Sequence, residues 1–156
     1  MNKELKEAQD HLGNKDLLKL SKTAFLVSNT ISSETVLRCY DWATEICHRG
    51  RCVVSGFSSK LEKDVLHFLL KGNQPIIMVL ARQMYKVVPT DLKEALEQNR
   101  LLIISTSQAV RQSRATALAR NRYVCEMADE IMLVGAAEGN SLFVLTEQYK
   151  GKIMSF

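Results

Sequence analysis

A doubly wound α/β fold, with a mostly parallel sheet of about six strands and helices on both faces, is predicted by three features of this 156-residue sequence. Its short strand-like runs are apolar throughout rather than alternating, as a sheet covered on both sides requires. Amphipathic helical segments separate nearly every pair of them, which favours parallel pairing through right-handed crossovers. No internal repeat, low-complexity tract or second core breaks the pattern, and the length suits one domain.

Residues 2 to about 21 read as one or two polar helical segments interrupted at Gly13-Asn14. Residues 1–22 are therefore expected to be a helical appendage, and 23–156 the α/β domain. "TAFLVS" (23–28) is the first strand. "ETVLRCYDWATEICHRG" (34–50) carries Val36, Leu37, Tyr40, Ala43, Ile46 and Cys47 at helical spacing and stops at Gly50. "CVVSG" (52–56) is the second strand. "SSKLEKDVLHFLLKG" (58–72) opens with a capping box, Ser59 to Glu62, and closes at Gly72. "PIIMVL" (75–80) is strand three, a helix follows Pro89 over 90–99, and "LLIIS" (101–105) is strand four. An arginine-bearing connection leads to a helix near 119–128, then to "EIMLVGA" (130–136), a last helix over 140–151 and a final short strand, "KIMSF".

Composition narrows the function classes. Apolar residues make up 46% and charged residues 24%, as in ordinary soluble domains. No apolar run reaches the roughly 18 residues of a membrane helix. The N-terminus carries charged side chains from Lys3 onward and lacks a signal-peptide apolar region, so a cytoplasmic protein is expected. Cys39, Cys47, Cys52 and Cys125 form no CxxC pair. Cys47-His48 with Cys52 fits no standard zinc site, so neither metal nor cofactor is expected. Net charge is 21 − 17 = +4, but its distribution matters more. Between Glu97 and Glu126 there is no acidic residue, whereas Arg100, Arg111, Arg114, Arg120 and Arg122 all fall there. Such an excess attracts phosphates, or is simply a solvated surface.

In a doubly wound sheet, ligands bind beyond the carboxyl ends of the strands. The loops at those ends are "SNTISS" (28–33), "SGFSSK" (55–60), "ARQMYK" (81–86), "STSQ" (105–108) and "GAAEGNS" (135–141). Hydroxyls, amides, glycines and cations dominate them, and three feed helix N-termini, where free amides favour phosphate oxygens. Phe57 and Tyr85 are candidates for base stacking, with packing the competing role for Phe57. The catalytic inventory is thin. His11 falls in the expected appendage, His48 near a helix end and His67 mid-helix, and no second carboxylate obviously pairs with Glu138. No Gly-x-Ser-x-Gly elbow, Walker loop, HExxH or complete GxGxxG is present. The residue types do not call for an enzyme.

Taken together, "VVSGFSSKLEKDVLHFLL", "VLARQMYKVVP", "LLIIS" and "ARNRYVCEMADEIMLVGAAEGNSL" resemble the Rossmann-like domain of the DNA-processing protein A (DprA/Smf) family, from about Thr23 onward. The most telling piece is Arg-Asn-Arg, a short helix, an Asp before an apolar strand, and a Gly-Ser-Leu-type turn. Departures accompany it. The family's Gly-Ser-Arg appears as Val27-Ser28-Asn29, its Ala-Arg-Gly-Ile-Asp as Ser58-Ser59-Lys60-Leu61-Glu62, and two loop glycines as Ala81 and Gln83. The winged-helix tail is expected to be absent.

The resemblance implies sequence-independent binding of single-stranded DNA, a homodimer, and delivery of DNA to a RecA-type recombinase. Its matching positions are Ser55, Gly56, Arg120, Asn121, Arg122, Gly139, Asn140 and Ser141, with Ser28 a partial match. Lys60 and Arg82 match no family residue and enter on charge and placement alone. The arginines of "ARNR" are expected to face phosphate, the opposing reading being that Arg122 pairs with Asp129 or Glu126. Two alternatives stand beside DNA binding. One is a nucleotide sensor or phosphoribohydrolase-like protein, although the Pro-Gly-Gly-x-Gly-Thr motif of the cytokinin-activating enzymes is absent. The other is an interaction subunit with a degenerate pocket.

Overall fold

The structure, a computed structural model, describes residues 10–154. Its elements are β1 (Asp10–Gly13), a 3-10 turn (Lys15–Lys19), β2 (Lys22–Val27), α1 (Ser33–Arg49), β3 (Cys52–Ser55), α2 (Lys60–Lys71), β4 (Ile76–Leu80), α3 (Thr90–Glu97), β5 (Leu101–Ser105), α4 (Arg114–Met127), β6 (Glu130–Val134), α5 (Phe143–Gln148), a second 3-10 turn (Lys150–Lys152) and β7 (Ile153–Met154). They form one seven-stranded sheet in the order β1-β5-β4-β3-β2-β6-β7, parallel except for β1. The expected doubly wound α/β fold is present.

Two apolar layers explain why the inner strands are apolar on both faces apart from polar residues at their ends, such as Lys22, Ser55 and Ser105. On one face, Phe25, Val53, Ile76 and Ile103 meet α1, α2 and α3 through Trp42, Ile46, Val65, Leu69 and Leu92. Trp42 stacks on Phe25 with ring centroids 4.8 Å apart. On the other face, Ala24, Val54, Ile77 and Leu102 meet Tyr123, Val124 and Cys125 of α4, Leu145 of α5 and Leu17. Asp129 aligns the two strands on which the site depends. Its carboxylate accepts the Lys22 backbone N–H at 2.7 Å, and its own N–H donates to the Lys22 carbonyl at 2.9 Å. That fixes the β2–β6 register from Thr23↔Glu130 to Val27↔Val134.

Three expectations are corrected. Residues 10–13 belong to the sheet, as an antiparallel edge strand on β5, and not to a helical appendage. Gly13, at φ +110°, lies where a Cβ would strike the Leu101 carbonyl, and Asn14 then caps the 3-10 turn that buries Leu17. Residues 1–9 of the expected appendage lie outside the described residues. The helix expected near 119–128 begins at Arg114, because Ser113 and Thr116 cap one another's backbone N–H groups at 3.2 and 2.8 Å. The last helix covers only Phe143–Gln148, since Gly139 (φ +86°) and Asn140 form a turn before it.

Candidate nucleic-acid interface

The chain runs outward from β2 through β3 and β4 to β5, then returns to place β6 on the other side of β2. The strand order therefore reverses between β2 and β6, and the loops at their carboxyl ends part around a crevice. A cleft of about 430 Å³ opens there. Val27 to Thr30 form one wall, Gly139 to Leu142 another, Ser58 and Ser59 a third, and Gln112, Arg114, Ala117, Arg120 and Asn121 the α4 side.

The cleft walls are tied together by their own polar groups. The Asn140 amide donates to Ser28 Oγ at 3.0 Å and to the Gly135 carbonyl at 3.2 Å, and its Oδ1 accepts the Leu142 N–H at 2.8 Å. Ser28 Oγ also accepts the Thr30 N–H at 3.1 Å. Asn140 thus joins the loops after β2 and β6. Across the opening, Gln112 Nε2 donates to Ser58 Oγ at 3.0 Å. Asn29 Oδ1 accepts the Lys60 N–H at 3.1 Å, which sets the exposed Lys60 at the rim beside Ser59. Ser55 is fully buried and its hydroxyl accepts the Phe57 N–H at 3.0 Å, shaping the turn beneath the cleft.

Arg120 forms part of the floor. It is only 3% exposed, and its guanidinium lies against Gly56 so closely that a Cβ there would collide with it. Nε donates to Asn121 Oδ1 at 2.8 Å and Nη1 to the Val79 carbonyl at 3.4 Å. Burial lowers its pKa from the ordinary guanidinium value, and the negative charge of Glu62 opposes that shift. Glu62 itself is buried and accepts the backbone N–H groups of Val27, Ser58 and Ser59 at 2.9, 2.8 and 3.2 Å.

Of the residues expected from the sequence, Ser28, Arg120, Asn121, Gly139, Asn140 and Ser141 line the cleft, and Ser55, Gly56 and Lys60 adjoin it. Two lie elsewhere. Arg122 donates from Nε to Gln148 Oε1 at 3.2 Å, and its carbonyl accepts from the Tyr149 hydroxyl, so it pairs with neither Asp129 nor Glu126. Arg82 sits at the end of β4, two strands from β2, with its guanidinium over the Tyr85 ring at 5.4 Å. Phe57 is 4% exposed and packs in the core, so it offers no stacking face. Asn29, Glu62, Gln112 and Arg114 line the cleft without having been singled out as ligand contacts. The position of Arg114 in the acid-free interval was the one sequence signal for it.

The polar, cation-bearing cleft stands at the switch point of a doubly wound sheet, the place where such folds take ligands. The sequence pattern of the DNA recombination-mediator protein A family matches residues 11–143, and the chain belongs to that family. No curated protein sequence matches it. Among solved structures, it is similar to DNA processing protein A from Helicobacter pylori, described by its single-stranded DNA binding mode. That likeness has a TM-score of 0.70 at 19% identity and covers 94% of this chain and 70% of the other. It is likewise similar to DNA processing protein A from Streptococcus pneumoniae, with a TM-score of 0.74 at 18% identity. There it covers 94% of this chain but spans only 54% of the streptococcal one. At these identities the two structures establish the fold. Among the described residues no helix is long and apolar enough to cross a membrane.

Proposed function

We propose that this chain binds single-stranded DNA at the β2–β6 cleft, holding phosphates without base specificity, in DNA processing or recombination. Family membership supplies the class of ligand, and the cleft is the observation that carries the reading to particular residues. Its polar, cation-bearing lining stands at the switch point of the sheet, where α/β domains take ligands. The reading is of a binding protein and not an enzyme, acting in the cytoplasm as a homodimer and passing DNA to a RecA-type recombinase. A second reading, a mononucleotide sensor, is favoured by the size of the cleft, about 430 Å³.

Titration of a fluorescent oligothymidine at low and moderate salt separates them, with duplex DNA and mononucleotides as competitors. DNA binding predicts affinity that falls as salt rises, and resistance to mononucleotides at equal nucleotide concentration. Absence of binding at every salt concentration contradicts it. Displacement by a mononucleotide with a shallow salt slope selects the sensor.

A further inference from the structure

The two charged groups in the depth of the cleft are already engaged. The carboxylate of Glu62 takes the N–H groups of Val27, Ser58 and Ser59, which are the amides an anion would seek between the end of β2 and the start of α2. Arg120 stands near that carboxylate, 3% exposed, with Nε on Asn121 and Nη1 directed to the Val79 carbonyl. A phosphate entering there meets a negative charge whose surrounding amide donors are occupied. The α4 side of the opening differs. Arg114, at the first position of α4, lines the same cleft, is exposed, and has no hydrogen bond or ion pair among the described residues.

Resting on the DNA-binding reading, we propose that Glu62 divides the cleft into two zones. Its depth excludes phosphate and takes the uncharged part of a nucleotide, while a backbone phosphate docks at the mouth on Arg114. Arg120 is then a structural residue packed against the Gly56 turn, and Arg114 is the anion contact.

The division has consequences for competing ligands. Inorganic phosphate has no uncharged part with which to fill the depth, so it gains only the contact at the mouth. An oligonucleotide uses both zones at once.

The test is oligothymidine titration of the folded chain and of Arg114→Ala and Arg114→Lys, with inorganic phosphate as competitor against chloride of matched ionic strength. Wild-type binding is read first, because its absence overturns the DNA-binding reading and this one with it. Given binding, Arg114→Ala is expected to weaken it about five- to tenfold. The slope of log K against log salt should become shallower by about 0.7, the share of one phosphate on a single strand. Arg114→Lys should keep most of that slope, and millimolar inorganic phosphate should compete no better than chloride. Glu62→Gln, checked for folding by circular dichroism, is expected to make inorganic phosphate a better competitor. Unchanged affinity and slope in Arg114→Ala overturn the proposal, as does displacement of oligothymidine from the wild-type protein by inorganic phosphate beyond the chloride control.

Discussion

Arg120 and Arg122 are two positions apart on a continuous helix, so their side chains leave its axis about 200° apart. They cannot face one ligand, and the structure uses them differently. Arg120 shares the inward face of α4 with Tyr123 and Val124, whereas Arg122 lies over Gln148. Removing Arg120 leaves Glu62 buried without its nearby cation and opens space above Gly56. Arg120→Ala should therefore lose roughly 2–4 kcal/mol of stability in urea unfolding, a cost typical of deleting a large buried side chain and leaving a cavity. Arg122→Ala should leave oligothymidine affinity within about twofold of wild type, since the residue is outside the cleft. Sequence showed the polar character of Ser28, Asn140 and Ser141. It did not show the burial of Arg120: the spacing that sets it on the face of Tyr123 and Val124 also suits a residue at the rim, and its burial comes from the close approach of the Gly56 turn.

The starting point of α4 is a property of the element. Ser113 and Thr116 make a capping box without the usual acidic or amide residue, and the helix they start gains more than a turn over the expected one. The extra length brings Arg114 to the mouth of the cleft. The inner strands and α1 to α3 were legible because apolar runs, glycine stops and the Ser59–Glu62 box all mark them locally. β1 was not. Four residues reading Asp-His-Leu-Gly have no strand periodicity, and their conformation comes from pairing with the edge of β5. The 3-10 turn that follows holds this segment down through Leu17, 6% exposed in the second apolar layer. Leu17→Ala should cost about 2–3 kcal/mol by chemical denaturation, a loss expected for a core leucine and not for a detached appendage.

Across the whole molecule, buried thiols provide a check on the packing of both faces of the sheet. Burial pushes Cys39 up to about 11, and Cys52 and Cys125 up to about 12, from an ordinary value of 9.0. An unfolded chain loses these protons first, so the folded state is favoured below pH 9 and that advantage disappears as the pH approaches 12. Stability measured in urea should be flat with respect to these groups near neutrality and fall through that alkaline window. The binding site we propose is the β2–β6 switch point, and not the groove of about 480 Å³ formed by Trp42, Ile46, Met132 and Met154. Backbone amide chemical shifts of the isotope-labelled chain, followed while oligothymidine is added, test this most directly. The account predicts saturable shifts at Asn29, Thr30, Ser58, Gly139 and Ser141, with Arg114 beside them and the Trp42 region unmoved. Shifts confined to the Trp42 groove, or none at saturating oligothymidine, would contradict it.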